Sequence, residues 1–170
     1  MTAIIGGLHF AVSDDDLRRI SETNPGWQFE RADDGALLVS PTSTPGGAKS
    51  GAAFVQLHAY AMTAGGKAYD AATGFKTPRG GVVSPNAAWL AAQRVALHQD
   101  DDGFWQVMPD IAVEVAGKTD TWPTVKRKID KYVNDGAGYA VALNPSSREV
   151  YERGRPPAGF VLDATAIIDA

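Results

Sequence analysis

Two hydrophobic periods alternate along the chain, and the points where one gives way to the other mark its elements. Ser13 ahead of Asp14, Asp15 and Asp16 sets an N-cap before three acids that complement a helix dipole, which predicts a helix to about Thr23, stopped by Asn24-Pro25-Gly26. Residues 27–32 and 36–40 flank Asp33-Asp34-Gly35, where glycine accepts a positive φ, and predict a β-hairpin. Residues 41–51 read as a loop. Residues 52–64 carry Phe54, Val55, Leu57, His58 and Ala61 at helical spacing and predict an amphipathic helix closed by Gly65-Gly66. Short strands follow near 74–77 and 82–90, broken by Pro78 and by Ser84-Pro85.

From Pro109 the pattern is more regular. Residues 111–116 form a short apolar run, Pro123 suits the first turn of a helix that ends near Gly136, and residues 139–143 form a second apolar strand. Strand, helix and strand with a crossover of this length predict a parallel pair. Residues 148–152 then return antiparallel after Asn144-Pro145-Ser146. The class expected is α/β (α+β): one domain over residues 1–170, with a mixed sheet flanked by helices and an N-terminal β-hairpin.

Composition narrows the classes of function. The 170 residues are 44% hydrophobic and 21% charged, which suits a chain that buries a core, and there is no cysteine for a disulfide, a thiolate zinc site or a thiol nucleophile. Residues 1–10 are apolar without a basic flank or a small-residue cleavage site, and no apolar run approaches the ~20 residues of a membrane span, so a cytoplasmic protein without a membrane anchor is expected. The net charge of −4 argues against a dedicated nucleic-acid-binding domain. Its distribution points the other way, since residues 117–155 hold 8 basic against 5 acidic side chains. That segment is either a phosphate-facing surface or a solvated helix face with a charged hairpin.

Two positions carry candidate chemistry. In a strand, Asp110, Ala112 and Glu114 share one face and Ile111, Val113 and Val115 the other. A carboxylate between two valines in a strand covered by a crossover helix costs several kcal/mol unless a cation or several donors meet it. Glu114 is thus either part of a site or a strand-end acid reaching solvent or a salt bridge. In the following helix Val125, Ile129, Tyr132 and Val133 form the apolar stripe, with Lys128 on its flank. Its ammonium either turns toward the strand of Glu114 or snorkels to water.

Taken together, Pro109-Asp110-Ile111-Ala112-Val113-Glu114-Val115, then Lys128-Ile129-Asp130-Lys131-Tyr132, Gly136 and Val141-Ala142-Leu143-Asn144-Pro145 resemble the Uma2 family of restriction endonucleases, within the PD-(D/E)XK nuclease superfamily. Residues 29–37 resemble its N-terminal hairpin, 72–75 its central strand and 84–89 its first acidic motif. The resemblance implies a restriction-endonuclease-like fold, cleavage of DNA with Mg²⁺ or Mn²⁺, and a homodimer. It makes Glu114 a metal-binding acid, Lys128 the lysine that has moved from strand to helix, and Glu30 an accessory acid. Ala116, two residues after Glu114, stands where other superfamily members keep that lysine. Asn86 departs from the pattern, because the family places its first metal-binding Asp there and an amide brings one carbonyl oxygen without charge. Asp110 would lie ~13 Å from Glu114 along a strand, too far to replace it. A second implied reading is a degenerate nuclease fold kept as a DNA-binding or oligomeric module.

Other sites are weaker. Residues 45–51 end in Lys49-Ser50 but lack both glycines of a phosphate loop, at Ser43 and Ala48. Asp100-Asp101-Asp102-Gly103 lacks the acid spacing of a calcium loop. His9, His58 and His98 have neither metal-ligand spacing nor a nucleophilic serine elbow. The four tryptophans are assigned to the core or to a subunit interface. The apolar tail from Phe160 to Ile168 is expected to dock on its own sheet or on a second subunit, and it or residues 4–10 to contribute to a dimer.

Overall fold

The structure, a computed structural model, describes residues 3–5, 12–98 and 103–170. The elements in chain order are β1 (Ala3–Ile5), α1 (Asp14–Thr23), β2 (Trp27–Arg31), β3 (Leu37–Pro41), α2 (Thr44–Ala64), β4 (Lys67–Asp70), β5 (Phe75–Lys76), β6 (Val82–Val83), β7 (Ala87–Leu90), α3 (Ala92–His98), β8 (Ile111–Val115), α4 (Trp122–Asn134), β9 (Tyr139–Asn144), β10 (Glu149–Gly154) and α5 (Ala164–Ile168). The described strands form two five-stranded sheets, ordered β1-β3-β2-β6-β5 and β10-β9-β8-β7-β4. The first is antiparallel throughout. In the second only β8 and β9 run parallel, with Ile111 opposite Tyr139 and Val115 opposite Leu143. The crossover between them is α4, as the strand–helix–strand pattern predicts.

The central strands β7, β8 and β9 of the second sheet are mostly apolar on both faces because helices cover both. Ala53 and Leu57 of α2 pack with Ala87, Trp89, Ile111, Val113, Val141 and Leu143 on one face. Val125, Ile129 and Tyr132 of α4 pack with Ala88, Leu90, Ala112, Ala140 and Ala142 on the other. The run of alanines beneath α4 lets that helix come close to the strands. Leu17 of α1 meets Leu37 and Val82 against the first sheet. The Ser13 capping box and the positive φ of Gly35 (85°) appear where the sequence places the first helix and the hairpin turn.

Of the loop expected over 41–51, residues 44–51 are instead the first part of α2. Ser43 caps it, its side chain accepting from the Gly46 N–H at 3.2 Å, and Pro45 occupies the first turn. Three glycines there, Gly46, Gly47 and Gly51, disfavour helix by ~1 kcal/mol each, and the burial of Ala53 and Leu57 further along outweighs them. The strand β4 and the helix α3 were not evident from the pattern. β4 is four residues long with a charge at each end, and it pairs with β7 through a close approach at Gly66, where a Cβ would sit 2.1 Å from the Leu90 carbonyl. Residues 100–102 of the acidic turn lie outside the described residues, as do residues 6–10 of the apolar N-terminal segment.

The C-terminal tail docks on its own sheet. Phe160, Ile167 and Ile168 are buried against Tyr139, Val141 and Leu143. Lys49 donates to the carbonyls of Ile168 at 2.8 Å and Ala170 at 2.6 Å, and Gln56 and Asp163 exchange hydrogen bonds. Lys49 is therefore committed to the tail, and no phosphate loop exists at 45–51. Among the described residues no helix is long and apolar enough to cross a membrane. Truncating fully buried Ile167 to alanine should cost about 2–5 kcal/mol in urea unfolding. Val161→Ala, at 86% exposure, should change it by less than about 0.5 kcal/mol. Equal effects would show that the tail is not packed.

Candidate active site

The alternation of β8 turns Ile111 and Val113 toward α2, and Ala112 and Glu114 toward α4. Glu114 is 8% exposed, so its charge needs partners within the protein. It has two. Its Oε1 lies 2.9 Å from the Lys128 Nζ and accepts a 2.6 Å hydrogen bond from the Tyr132 hydroxyl. The same ammonium lies 3.2 Å from Oε2 of Glu30 in β2, whose Oε1 accepts the Ser84 N–H at 2.6 Å. Three of the four residues singled out in the sequence thus meet at one point between the two sheets. Lys128 does not snorkel: although its side chain is 31% exposed, its ammonium lies between the two carboxylates.

Asn86 stands apart from this trio. Extending the antiparallel register one step from Ala87 opposite Val113 sets it across from Glu114. Its carboxamide, however, is bound elsewhere: Oδ1 accepts the Val115 N–H at 2.8 Å, and Nδ2 donates to Ser50 Oγ at 3.0 Å. Asp110 faces away from the site, accepting from the Ala91 N–H and from Arg94, both at 2.8 Å. A cleft of about 810 Å³ opens beside Ser84 and Asn86, lined also by Ser50, Asp70, Trp27 and Phe104.

The charges in the trio act on one another. Burial pushes the Glu114 carboxyl above its ordinary range, and Glu30 adds to that push while Lys128 and the Tyr132 hydroxyl oppose it. Burial alone would lower the Lys128 pKa, but Glu114 and then Glu30 overcome it, so the ammonium holds its proton well above neutral pH. A lysine kept charged in this way cannot take a proton from water. It can hold negative charge in place. Burial and the two carboxylates raise the Tyr132 phenol as well, leaving it a neutral donor.

One turn further along α4 a second set of charges ties the same helix to the hairpin. Lys131 lies 2.9 Å from Asp33 Oδ2 and also pairs with Asp135, and Arg79 meets Asp33 at 2.8 Å. Burial would raise Asp33, but donors from Thr77, Lys131 and Arg79 outweigh it and hold its pKa at about 2. Tyr132 and Ser84 were not singled out in the sequence. Tyr132 reads there as one member of the apolar stripe, and the signal was its hydroxyl, four residues after Lys128 on the same helix face. Ser84 contributes only its backbone N–H, which no side-chain pattern marks.

Of the basic residues counted in 117–155, Lys128, Lys131, Arg148 and Arg153 are held in ion pairs. Lys118, Lys126, Arg127 and Arg155 form no ion pair among the described residues.

A family model described as Uma2, putative restriction endonuclease, matches residues 14–162. A solved structure described as a putative nuclease belonging to DUF820, from Anabaena variabilis ATCC 29413, superposes with a TM-score of 0.64 at 10% identity, covering 83% of this chain and 89% of that one. At that identity the likeness is one of fold. No curated protein matches the chain.

Removing Lys128 leaves Glu30 and Glu114 facing each other without a cation. Lys128→Met should therefore destabilise the protein by about 3 kcal/mol at pH 7, and Glu114→Gln added to it should recover much of that. With the lysine gone, the folded-state pKa of Glu114 rises further above its unfolded value, so the folded state binds more protons and stability falls as pH rises through that window. Urea unfolding at pH 5 and 7 should show the Lys128→Met deficit shrinking at the lower pH. A deficit independent of pH would show that the carboxylates do not depend on the lysine.

Proposed function

The chain belongs to the Uma2 family of putative restriction endonucleases, and from that premise we propose that it is a metal-dependent DNA endonuclease that hydrolyses phosphodiester bonds at Glu114, Lys128 and Glu30. The observation that carries this reading is the Lys128 ammonium held between two carboxylates, one from each sheet. In the reaction a water oxygen bonds to phosphorus, the bond from phosphorus to the leaving sugar oxygen breaks, the water gives up a proton, and the leaving oxygen gains one from solvent. Lys128, permanently charged, neutralises the negative charge that builds on the phosphate oxygens. Glu30, oriented by Lys128 and by the Ser84 N–H, is the proton acceptor within reach of the same point.

The donors suit a hard divalent cation. Mg²⁺ is commonly held by one or two carboxylates, with water and substrate phosphate completing its shell. Glu114 would hold it through Oε2, since Oε1 is taken, with the Asn86 carbonyl as a neutral second donor. When bound, the cation supplies charge neutralisation and a more acidic water. The set is one charge short, and among the described residues there is no group of three or more His, Cys, Asp or Glu side chains placed to share an ion. That shortage and the doubly bound Asn86 support a second reading, a nuclease fold that binds DNA without cutting it. Lys118 and Arg127, both exposed near the N-terminal half of α4, are available to phosphate in either case.

Supercoiled plasmid with Mg²⁺ or Mn²⁺ separates the two readings. The endonuclease reading expects slow nicking, faster with Mn²⁺, about tenfold faster or more in Asn86→Asp, and lost in Glu114→Gln. No nicking by either the native protein or Asn86→Asp, with DNA still retained in a mobility shift, would leave the second reading. We also propose a homodimer, since cutting both strands of a duplex is served by two equivalent sites about a twofold axis. Light scattering should give about twice the 18.0 kDa of one chain, and a mass near 18.0 kDa at micromolar concentration rejects it.

A further inference from the structure

Tyr132 is the largest fully buried side chain among the described residues, and its ring packs with Val125 and Ile129 in the face of α4 turned to the second sheet. A phenylalanine would fill that space equally well. The hydroxyl therefore needs a reason, because a buried phenol without a partner costs about as much as a lost hydrogen bond. Its partner is Glu114 Oε1, at 2.6 Å, the short distance typical of a hydroxyl donating to an ionised carboxylate.

The same oxygen receives the Lys128 ammonium at 2.9 Å. Two donors from one helix, four residues apart, thus converge on one oxygen of Glu114. Among the described residues, none of the hydrogen bonds or ion pairs of Glu114 falls on Oε2. The ring also stands beside the ammonium, whose Nζ lies 5.7 Å from the ring centroid. The terminal torsion of a glutamate is broad and roughly twofold, so a carboxylate held by one donor can exchange its two oxygens. A second donor on the same oxygen removes that freedom.

We propose that Tyr132 is a positioning residue of this site: its hydroxyl and Lys128 together saturate Oε1 of Glu114, fix the carboxylate's torsion, and present Oε2 as the oxygen open to a divalent cation. The proposal rests on the endonuclease reading above and adds to it which oxygen does the binding and what aims it. Partners of a ligand carboxylate typically change metal affinity by 10–100-fold when removed, because the free site must then pay for ordering the ligand itself.

The test compares the full chain with Tyr132→Phe, Glu114→Gln and Val125→Ala at one fixed pH. Mn²⁺ uptake is followed by the paramagnetic resonance of the free ion, the Glu114 carboxylate by its infrared stretching band, and folding by thermal melting. The band is identified by its loss in Glu114→Gln. The expected result is that Tyr132→Phe shifts the band and raises the Mn²⁺ half-saturation about tenfold. Val125→Ala, which loosens the same helix face, should lower the melting temperature and leave both readings in place. Should Tyr132→Phe fail to fold, 3-fluorotyrosine at position 132 keeps the ring, strengthens the donor, and should move the band in the opposite sense. A Tyr132→Phe protein that binds Mn²⁺ as the native one does, while Glu114→Gln does not, overturns the positioning role and leaves the endonuclease reading standing. A native protein showing no Mn²⁺ uptake that Glu114→Gln abolishes overturns the metal-site reading and this proposal with it.

Discussion

One ammonium group links a carboxylate of each sheet. Glu30 belongs to the first and Glu114 to the second, and neither carboxylate is exposed enough to be solvated on its own. Lys128 makes their proximity tolerable, and the position of α4 follows from that requirement. The helix must lie where a lysine can reach both acids, and the spacing of its second lysine fits the same demand. Lys131, one turn on, reaches Asp33, which stands three residues after Glu30 around the same hairpin. Two lysines three apart on a helix thus meet two acids three apart in the hairpin, a match that sets both the rotation of α4 and its height along the sheet. Losing Lys128 would leave two carboxylates in a place where water cannot replace the lost cation, whereas Asp33 would keep Arg79 and Thr77 if Lys131 were lost.

Packing serves the same end. Four alanines, at 88, 112, 140 and 142, line the face of the second sheet beneath α4. Larger side chains there would bury more apolar area, at about 25 cal/mol per Å², and would hold the helix away from the strands. Alanines give up that area and bring the helix near enough for a lysine and a tyrosine to meet a glutamate on β8. Val113 and Val141, on the opposite face of the same strands, are larger because α2 brings only apolar groups to them. At β8 and β9 the two faces of the sheet therefore differ in side-chain size, alanines lying under α4 and larger residues under α2.

This difference also explains which parts of the molecule could be read from its sequence. The parallel pair β8 and β9 and the crossover α4 are dense, periodic and bounded by glycine and proline, so pattern alone located them within a residue or two. Glu114 and Lys128 stood out because each violates its own periodicity, and Glu30 entered only through family resemblance, since a glutamate in a hairpin strand breaks no rule. The glycine-rich start of α2 was missed because tertiary burial overrode local propensity. β4 was missed because its strand character lies in pairing with β7 across a glycine contact, which has no local sequence signal. Tyr132 was read as packing alone because an apolar stripe does not distinguish a ring from its hydroxyl.

Asn86 follows from the same charge balance. With Lys128 between Glu30 and Glu114, a single ammonium answers two carboxylates. An aspartate at 86 would sit across from Glu114 and bring a further negative charge to the cluster. The amide avoids that charge and uses both of its ends within the fold, accepting from Val115 and donating to Ser50, so it ties the start of β7 to the end of β8 and to α2. A carboxylate could keep both bonds only if Ser50 turned its hydroxyl to donate. On the endonuclease reading proposed above, the amide at 86 thus gives up a charged ligand and gains two hydrogen bonds within the fold, a trade between stability and charge density at one position.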